Sequence, residues 1–192
     1  DGMPLRWAAI AFMLLGAMPF LTYVRLLHNG ARQNRRDPQI EAFLVSLVIG
    51  VAVLTLWLIS THDVAFGEAL TESAFNIVSI VTTTGFASLD YLAWGAFAVA
   101  FFFMLTFVGG CTGSTSGGLK IFRFQVVAMV VSRHFGRTIH PHAVLPLRYA
   151  GRVISDEQVG SVAIFVLVFI ATVAATAFGL ALLGLDVETA LS

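Results

Sequence analysis

From Leu92 to about Val131 the chain is apolar for about 40 residues, roughly twice what one helix needs to cross a bilayer. Its middle reads Gly109-Gly110-Cys111-Thr112-Gly113-Ser114-Thr115-Ser116-Gly117-Gly118. Such a run cannot stay helical, because each glycine costs about 1 kcal/mol relative to alanine. A break at this depth frees backbone N–H and C=O groups, which need water or a pore beside them. Few folds can host such a segment.

Composition narrows the choice further. Of 192 residues, 58% are hydrophobic and 11% charged, against about 25% charged in ordinary soluble domains. A solvated surface cannot be built from that remainder, which excludes a soluble enzyme, a nucleic-acid binder and a disordered chain. The single cysteine, Cys111, excludes a disulfide scaffold and a multi-cysteine metal site within the chain. The expected class is an all-α integral membrane protein in contact with lipid.

Three further stretches approach the length of a crossing: Leu5–Leu27, Ala42–Ser60 and Val159–Gly184. The first is too long for a cleaved signal peptide, contains Pro19, and has no small-residue cleavage site before the arginines beyond it. Glu68–Val81 is too short and too polar to cross, and reads as a re-entrant or interfacial helix.

The charges sort by loop. Arg25, Arg32, Arg35 and Arg36 follow the first span, and Arg133, Arg137, Arg148 and Arg152 follow the long interrupted one. Between Thr61 and Tyr91 there are only acidic residues, Asp63, Glu68, Glu72 and Asp90, and Asp186 and Glu188 lie near the end. The excess of arginine places 28–41 and 132–158 in the cytoplasm, and 61–91 and 185–192 outside. Arg6 is the exception, and a lone basic residue at a helix end can snorkel. His134, His140 and His142 share the 132–158 loop, but their spacing does not converge them and no metal site is expected there. The plain reading of that loop is a linker with a short amphipathic helix.

Two motifs carry the chemistry. After the short helix come Thr82-Thr83-Thr84-Gly85-Phe86-Ala87. If that helix dips in from outside, its partially negative end aims at the midplane and an extended strand then climbs back out. Carbonyls along such a strand can replace the hydration shell of a cation. Gly85 supplies backbone angles that a side chain would hinder. The competing reading is a threonine-rich turn in an exterior loop.

The second motif is the glycine run with Lys120 and Arg123 beyond it. It is not a Walker phosphate loop, because Gly118 is followed by Leu119 rather than by lysine. Nor is it a nucleophile elbow, because Thr115 stands where serine is needed. A face of small residues packing helices together is the dull alternative. Lys120 and Arg123 lie one helical turn apart near the cytoplasmic side. Ionisable residues at such depth point to function, although both could instead snorkel to headgroups.

Glu72-Ser73-Ala74-Phe75-Asn76, Thr82 to Phe86 and Gly109 to Lys120 together resemble the Trk/Ktr/HKT superfamily of potassium transporters, most closely its TrkH branch. The resemblance implies membrane–pore-loop–membrane repeats, each with a re-entrant pore helix and an extended selectivity filter, and here a glycine-broken transmembrane helix. It implies that 1–27 is the last helix of a second repeat and 28–40 a cytoplasmic linker. Residues 41–131 would be a third repeat, with outer helix 42–60, pore helix 68–81, filter 82–87 and broken helix 92–131. Another linker, 132–158, would lead to the first helix of a fourth repeat over 159–192, cut short at its pore helix.

By the same resemblance Thr83, Thr84, Gly85 and Phe86 bind potassium, the transported ion, and residues 109–118 form the gate. The chain would be the ion-translocating subunit of a cytoplasmic (inner) membrane system. It would be a homodimer served by a cytosolic nucleotide-binding regulatory subunit of the TrkA kind. No other cofactor or metal is implied, and no enzymatic activity. Other readings are a sodium-permeable or ion-coupled relative, a non-conducting assembly subunit, and a secondary transporter for an anion. The acidic exterior disfavours the last.

Overall fold

The computed structural model describes residues 2–29, 37–89, 91–139 and 146–184. Arg32, Arg35, Arg36, Asp90, His140, His142 and 185–192 lie outside the described residues, and the loop assignments that rest on them lie there too. The order of elements is α1 Met3–Ala17, α2 Phe20–Asn29, α3 Pro38–His62, α4 Phe66–Val81, a 3-10 turn at Tyr91–Trp94, and α5 Ala96–Thr106. Then come α6 Ile121–Ile139, a hairpin of β1 Arg148–Tyr149 and β2 Arg152–Val153, and α7 Asp156–Leu182. The chain forms two compact units, 1–121 and 122–192.

Several boundaries differ from those expected. The stretch Leu5–Leu27 is not one helix. It breaks at Met18-Pro19, and its halves meet at 88°. Proline has no N–H and clashes with the carbonyl four residues back, which forces the break. α3 starts at Pro38, inside the expected linker, because Asp37 caps it by accepting the Gln39 N–H at 3.0 Å and proline suits the first helical position. α7 starts at Asp156 for a similar reason. Ser155 and Gln158 form a reciprocal capping box, and Asp156 and Glu157 favour the positive end of the helix.

The long apolar stretch becomes two helices, neither of them a full apolar crossing, joined by residues 107–120. α6 runs to Ile139, past Val131, because helical hydrogen bonding continues through the arginine-bearing turns. Among the described residues α3 and α7 are long and apolar enough to cross a membrane, and α1 with α2 qualifies as a bent pair. Where a linker with a helix was expected, β1 and β2 pair antiparallel across Ala150 and Gly151. Both have positive φ, +48° and +80°, the two left-handed positions that a type I′ hairpin turn requires.

α4 organises the first unit. It packs against α1, α3 and α5, and from Thr71 to Ser79 every residue is buried. A helix enclosed on all sides belongs to a core, so this segment is not an interfacial helix. Ala69, Ser73 and Ala74 are small enough to let neighbouring backbones approach, the packing device of helices in lipid. Ile77 and Val81 join Phe43, Leu47 and Leu54 of α3, Ile10 and Met13 of α1, and Phe102 of α5 in one cluster. α4 therefore has a fixed place, and so has the turn at its C-terminal end.

Candidate functional site

The segment after α4 begins as a capped turn. Thr82 remains near helical angles, and Thr83 turns left-handed at φ +56°. The Thr83 N–H donates to the Ile80 carbonyl at 2.9 Å and the Thr84 N–H to the Ser79 carbonyl at 2.9 Å. That pair is a Schellman closure, usually built on glycine. A β-branched residue in this conformation is an outlier, and such strain concentrates at sites that the surroundings over-determine. The wholly extended filter expected from the sequence is thus corrected: Thr82 and Thr83 close the helix, and Gly85 takes φ +79°. The Thr82 and Thr84 hydroxyls lie 2.8 Å apart, and Thr83, Thr84, Gly85 and Phe86 are exposed.

Gly85 has φ +79° and open space around its Cα. Within the chain, then, conformation rather than crowding selects glycine here. Further along, Ser88 is clamped back to α4. Its N–H donates to Asn76 Oδ1 at 3.3 Å, and Asn76 Nδ2 donates to its hydroxyl at 2.9 Å. The same hydroxyl donates to Glu72 Oε2, while Glu72 Oε1 pairs with the Arg6 guanidinium. Arg6 therefore has a protein partner and is not a simple snorkelling residue. The sequence carried a signal for this group: Glu72 and Asn76 are polar, four apart, and sit on an otherwise enclosed helix.

The run 109–118 forms a folded loop whose backbone groups are largely partnered. Gly109 N–H donates to Leu119 O at 2.8 Å, and Leu119 N–H to Phe107 O at 3.1 Å. Gly110 N–H donates to Ser116 Oγ at 2.9 Å, and Thr112 N–H to Gln39 Oε1 at 2.9 Å. Ser114 Oγ donates to Cys111 O at 2.7 Å, and Cys111 itself is buried. A Cβ on Gly109 would overlap the Gly117 carbonyl, and one on Gly110 would stand 2.8 Å from Ala17 O. Gly113 and Gly118 carry φ +82° and +67°. Four of these glycines are thus needed for space or conformation.

This loop is seated in the α1–α2 break. Cys111 N–H donates to Ala17 O at 3.1 Å, and Thr115 gives Gly16 O both its N–H at 3.2 Å and its hydroxyl at 2.9 Å. In return, Phe20 N–H donates to Gly113 O at 2.9 Å. Gly16 O and Ala17 O, carbonyls at the end of α1 that a continuing helix would have bonded to Phe20 and Leu21, thus find partners in the loop, as buried backbone groups must. Pro19 was visible in the sequence; its partnership with the glycine run was not.

Gly117 meets the turn after α4. Its N–H donates to Thr83 Oγ1 at 2.7 Å. The Lys120 ammonium folds back on the loop, donating to the Ser116 carbonyl and to the hydroxyls of Ser114 at 3.3 Å and Ser116 at 3.2 Å. Arg123 belongs to the second unit, where its guanidinium carbon lies 3.7 Å from the centre of the Phe165 ring. The two charges have separate roles: one braces the loop, and the other stacks in a cation–π contact. Within the first unit, Thr83 and the glycine run are in direct contact, while Gly85 and Phe86 stand clear. No cluster of His, Cys, Asp and Glu able to hold a metal occurs among the described residues.

An enclosed short helix packed against α3, a helix of spanning length, and ending against a glycine-rich loop defines a helical membrane protein built on the pore-loop plan. The chain belongs to the TrkH family, described as cation transport proteins, whose model matches residues 3–189. It is a family of transporters and not of enzymes. Among its relatives is the Trk system potassium uptake protein TrkI of Halomonas elongata, 47% identical over 98% of this chain and 38% of the relative. Another is the TrkH potassium uptake protein of Vibrio parahaemolyticus, 27% identical over 100% of this chain and 40% of the relative. The crystal structure of the potassium transporter TrkH from Vibrio parahaemolyticus superposes with a TM-score of 0.92 at 26% identity, covering 100% of this chain and 42% of that one. The chain therefore spans about two fifths of the length of the relatives it matches.

Proposed function

We propose that this chain is part of the ion-translocating subunit of a potassium uptake system in the cytoplasmic membrane. Thr83, Thr84, Gly85 and Phe86 line the ion filter in this reading, and Gly109–Gly118 form the gate. The observation that carries it is the hydrogen bond from Gly117 N–H to Thr83 Oγ1 at 2.7 Å. It puts the glycine-rich loop between α5 and α6 directly against the turn that leads into exposed residues 84–87. An assembly subunit that only packs helices has no need of that juxtaposition. The names of the relatives, potassium uptake proteins and a potassium transporter, support the choice of ion.

The distribution of arginine supports an outside location for 61–91 and a cytoplasmic one for 132–158. A multi-component system fits the relatives' name. In this proposal the subunit is a homodimer, and a separate nucleotide-binding cytosolic protein of the TrkA kind regulates it. The test is isotope uptake into liposomes holding the purified full-length parent, with and without the regulator. Potassium uptake above protein-free vesicles and in excess of sodium is expected. Uptake no greater than that of empty vesicles, or equal for both ions, would overturn the proposal.

A further inference from the structure

We propose that Glu72 is a positioning residue for ion selection, acting through Ser88 on the outward leg of the strand beyond Gly85. The inference rests on reading 83–86 as the filter.

A carboxylate that is 4% exposed is costly unless paired and hydrogen-bonded. Each Glu72 oxygen has its own partner: Oε1 the Arg6 guanidinium, Oε2 the Ser88 hydroxyl. Asn76, wholly buried one turn further along α4, holds the N–H and the hydroxyl of the same serine. Ser88 is thus gripped at two atoms by two side chains from one enclosed helix.

At the other end, Thr83 and Thr84 are fixed by the closure of that helix onto Ile80 and Ser79. Only Gly85, Phe86 and Ala87 lie between the two anchorages, and all three are exposed. The backbone of so short a span, tied at both ends to one helix, has its carbonyl directions set by where the ends are held. Arg6, reaching in from α1, fixes the carboxylate in turn. A buried ion pair adds little net stability but can specify one arrangement. Here the arrangement specified is the course of the strand.

The experiment measures potassium and sodium uptake by the full-length parent in liposomes, with variants Glu72→Gln, Ser88→Ala, Arg6→Ala and Arg6→Lys, and Gly85→Ser as control. Glu72→Gln and Ser88→Ala should each lower the potassium-to-sodium ratio about three- to tenfold, the scale of one lost hydrogen bond. The double variant should be no worse than the poorer single one. Arg6→Lys should keep more of the ratio than Arg6→Ala. A merely structural role would depress both ions in proportion and leave the ratio alone, which would overturn the inference. If Glu72→Gln does not fold, Ser88→Ala and the Arg6 pair decide the matter on the same readout. An unmoved ratio in these variants while Gly85→Ser shifts it sinks this inference and spares the filter. An unmoved ratio in Gly85→Ser as well sinks both.

Discussion

Thr83 adopts a left-handed backbone conformation at φ +56° and, through its own Oγ1, accepts the amide N–H of Gly117 at 2.7 Å. One residue therefore closes the short enclosed helix and touches the glycine-rich loop between α5 and α6. The strain of a β-branched side chain in that conformation is borne where the two motifs meet.

Thr83→Val keeps the branched shape and removes the acceptor. Losing one such bond costs about 1 kcal/mol, which corresponds to about fivefold in the occupancy of a mostly closed gate. Basal potassium flux into liposomes should rise by about that factor. Flux equal to the parent's, in protein of equal yield, would show that the bond does not hold the gate.

Gly85→Ala and Gly85→Ser meet no steric obstacle within the chain but must adopt φ +79°. The conformational cost is about 1–2 kcal/mol. Both variants should reach the membrane, melt slightly lower and discriminate less well between potassium and sodium. An unchanged uptake ratio in well-expressed Gly85→Ser would refute the filter assignment.

Two loop glycines should respond differently to alanine. At Gly109 the added Cβ would overlap the Gly117 carbonyl, whereas at Gly113 it would meet open space and only the strain of φ +82°. Gly109→Ala is expected to abolish monodisperse protein. Gly113→Ala should lower stability by about 1–2 kcal/mol. Size-exclusion profiles and thermal melts of the detergent-solubilised parent compare them. Equal behaviour would contradict the loop geometry.

Deleting Gly113–Thr115 removes the partners of Phe20 N–H and Gly16 O. In folded protein the shortened loop should raise potassium flux and weaken its response to the regulator. Equal or lower flux with normal regulation would mean that another segment closes the path.

Sidedness can be read with single cysteines. Ala87 and Ser132 are exposed, and the native Cys111 is buried. Ala87→Cys should react with an impermeant thiol reagent from outside and Ser132→Cys from the cytoplasm. Labelling of position 132 from outside would reverse the topology.

Much of this was legible in the sequence because apolar length and glycine density act locally. The spans at α3 and α7, the short helix before Thr82 and the interruption at 109–118 all emerge from residues read in order. Boundaries shifted where a cap outweighed hydropathy, as at Asp37 and Ser155. The links between distant segments were not legible. Nothing in the spacing of Arg6 and Glu72, or of Gly16 and Thr115, says that they meet, because the first pair depends on α4 packing against α1 and the second on the loop seating at the end of α1. Pro19 stands inside a stretch expected to be one span, and nothing around it says that a loop far along the chain fills a break there. Thr83 carries no mark of its left-handed backbone, since threonine is among the residues least expected there.

The seat of the glycine run in the break at Pro19 sets how that loop can move. Lifting it out strips Gly16 and Ala17 of their donors and leaves Phe20 N–H without Gly113 O, and none of these groups can stay bare inside a bilayer. Small excursions forfeit bonds before any replacement is within reach, so intermediate positions are disfavoured. If the run is the gate proposed above, its opening should be a toggle in which the α1–α2 elbow and the loop exchange partners together. In that proposal the threshold for opening would lie in a helix pair far upstream of the gate itself.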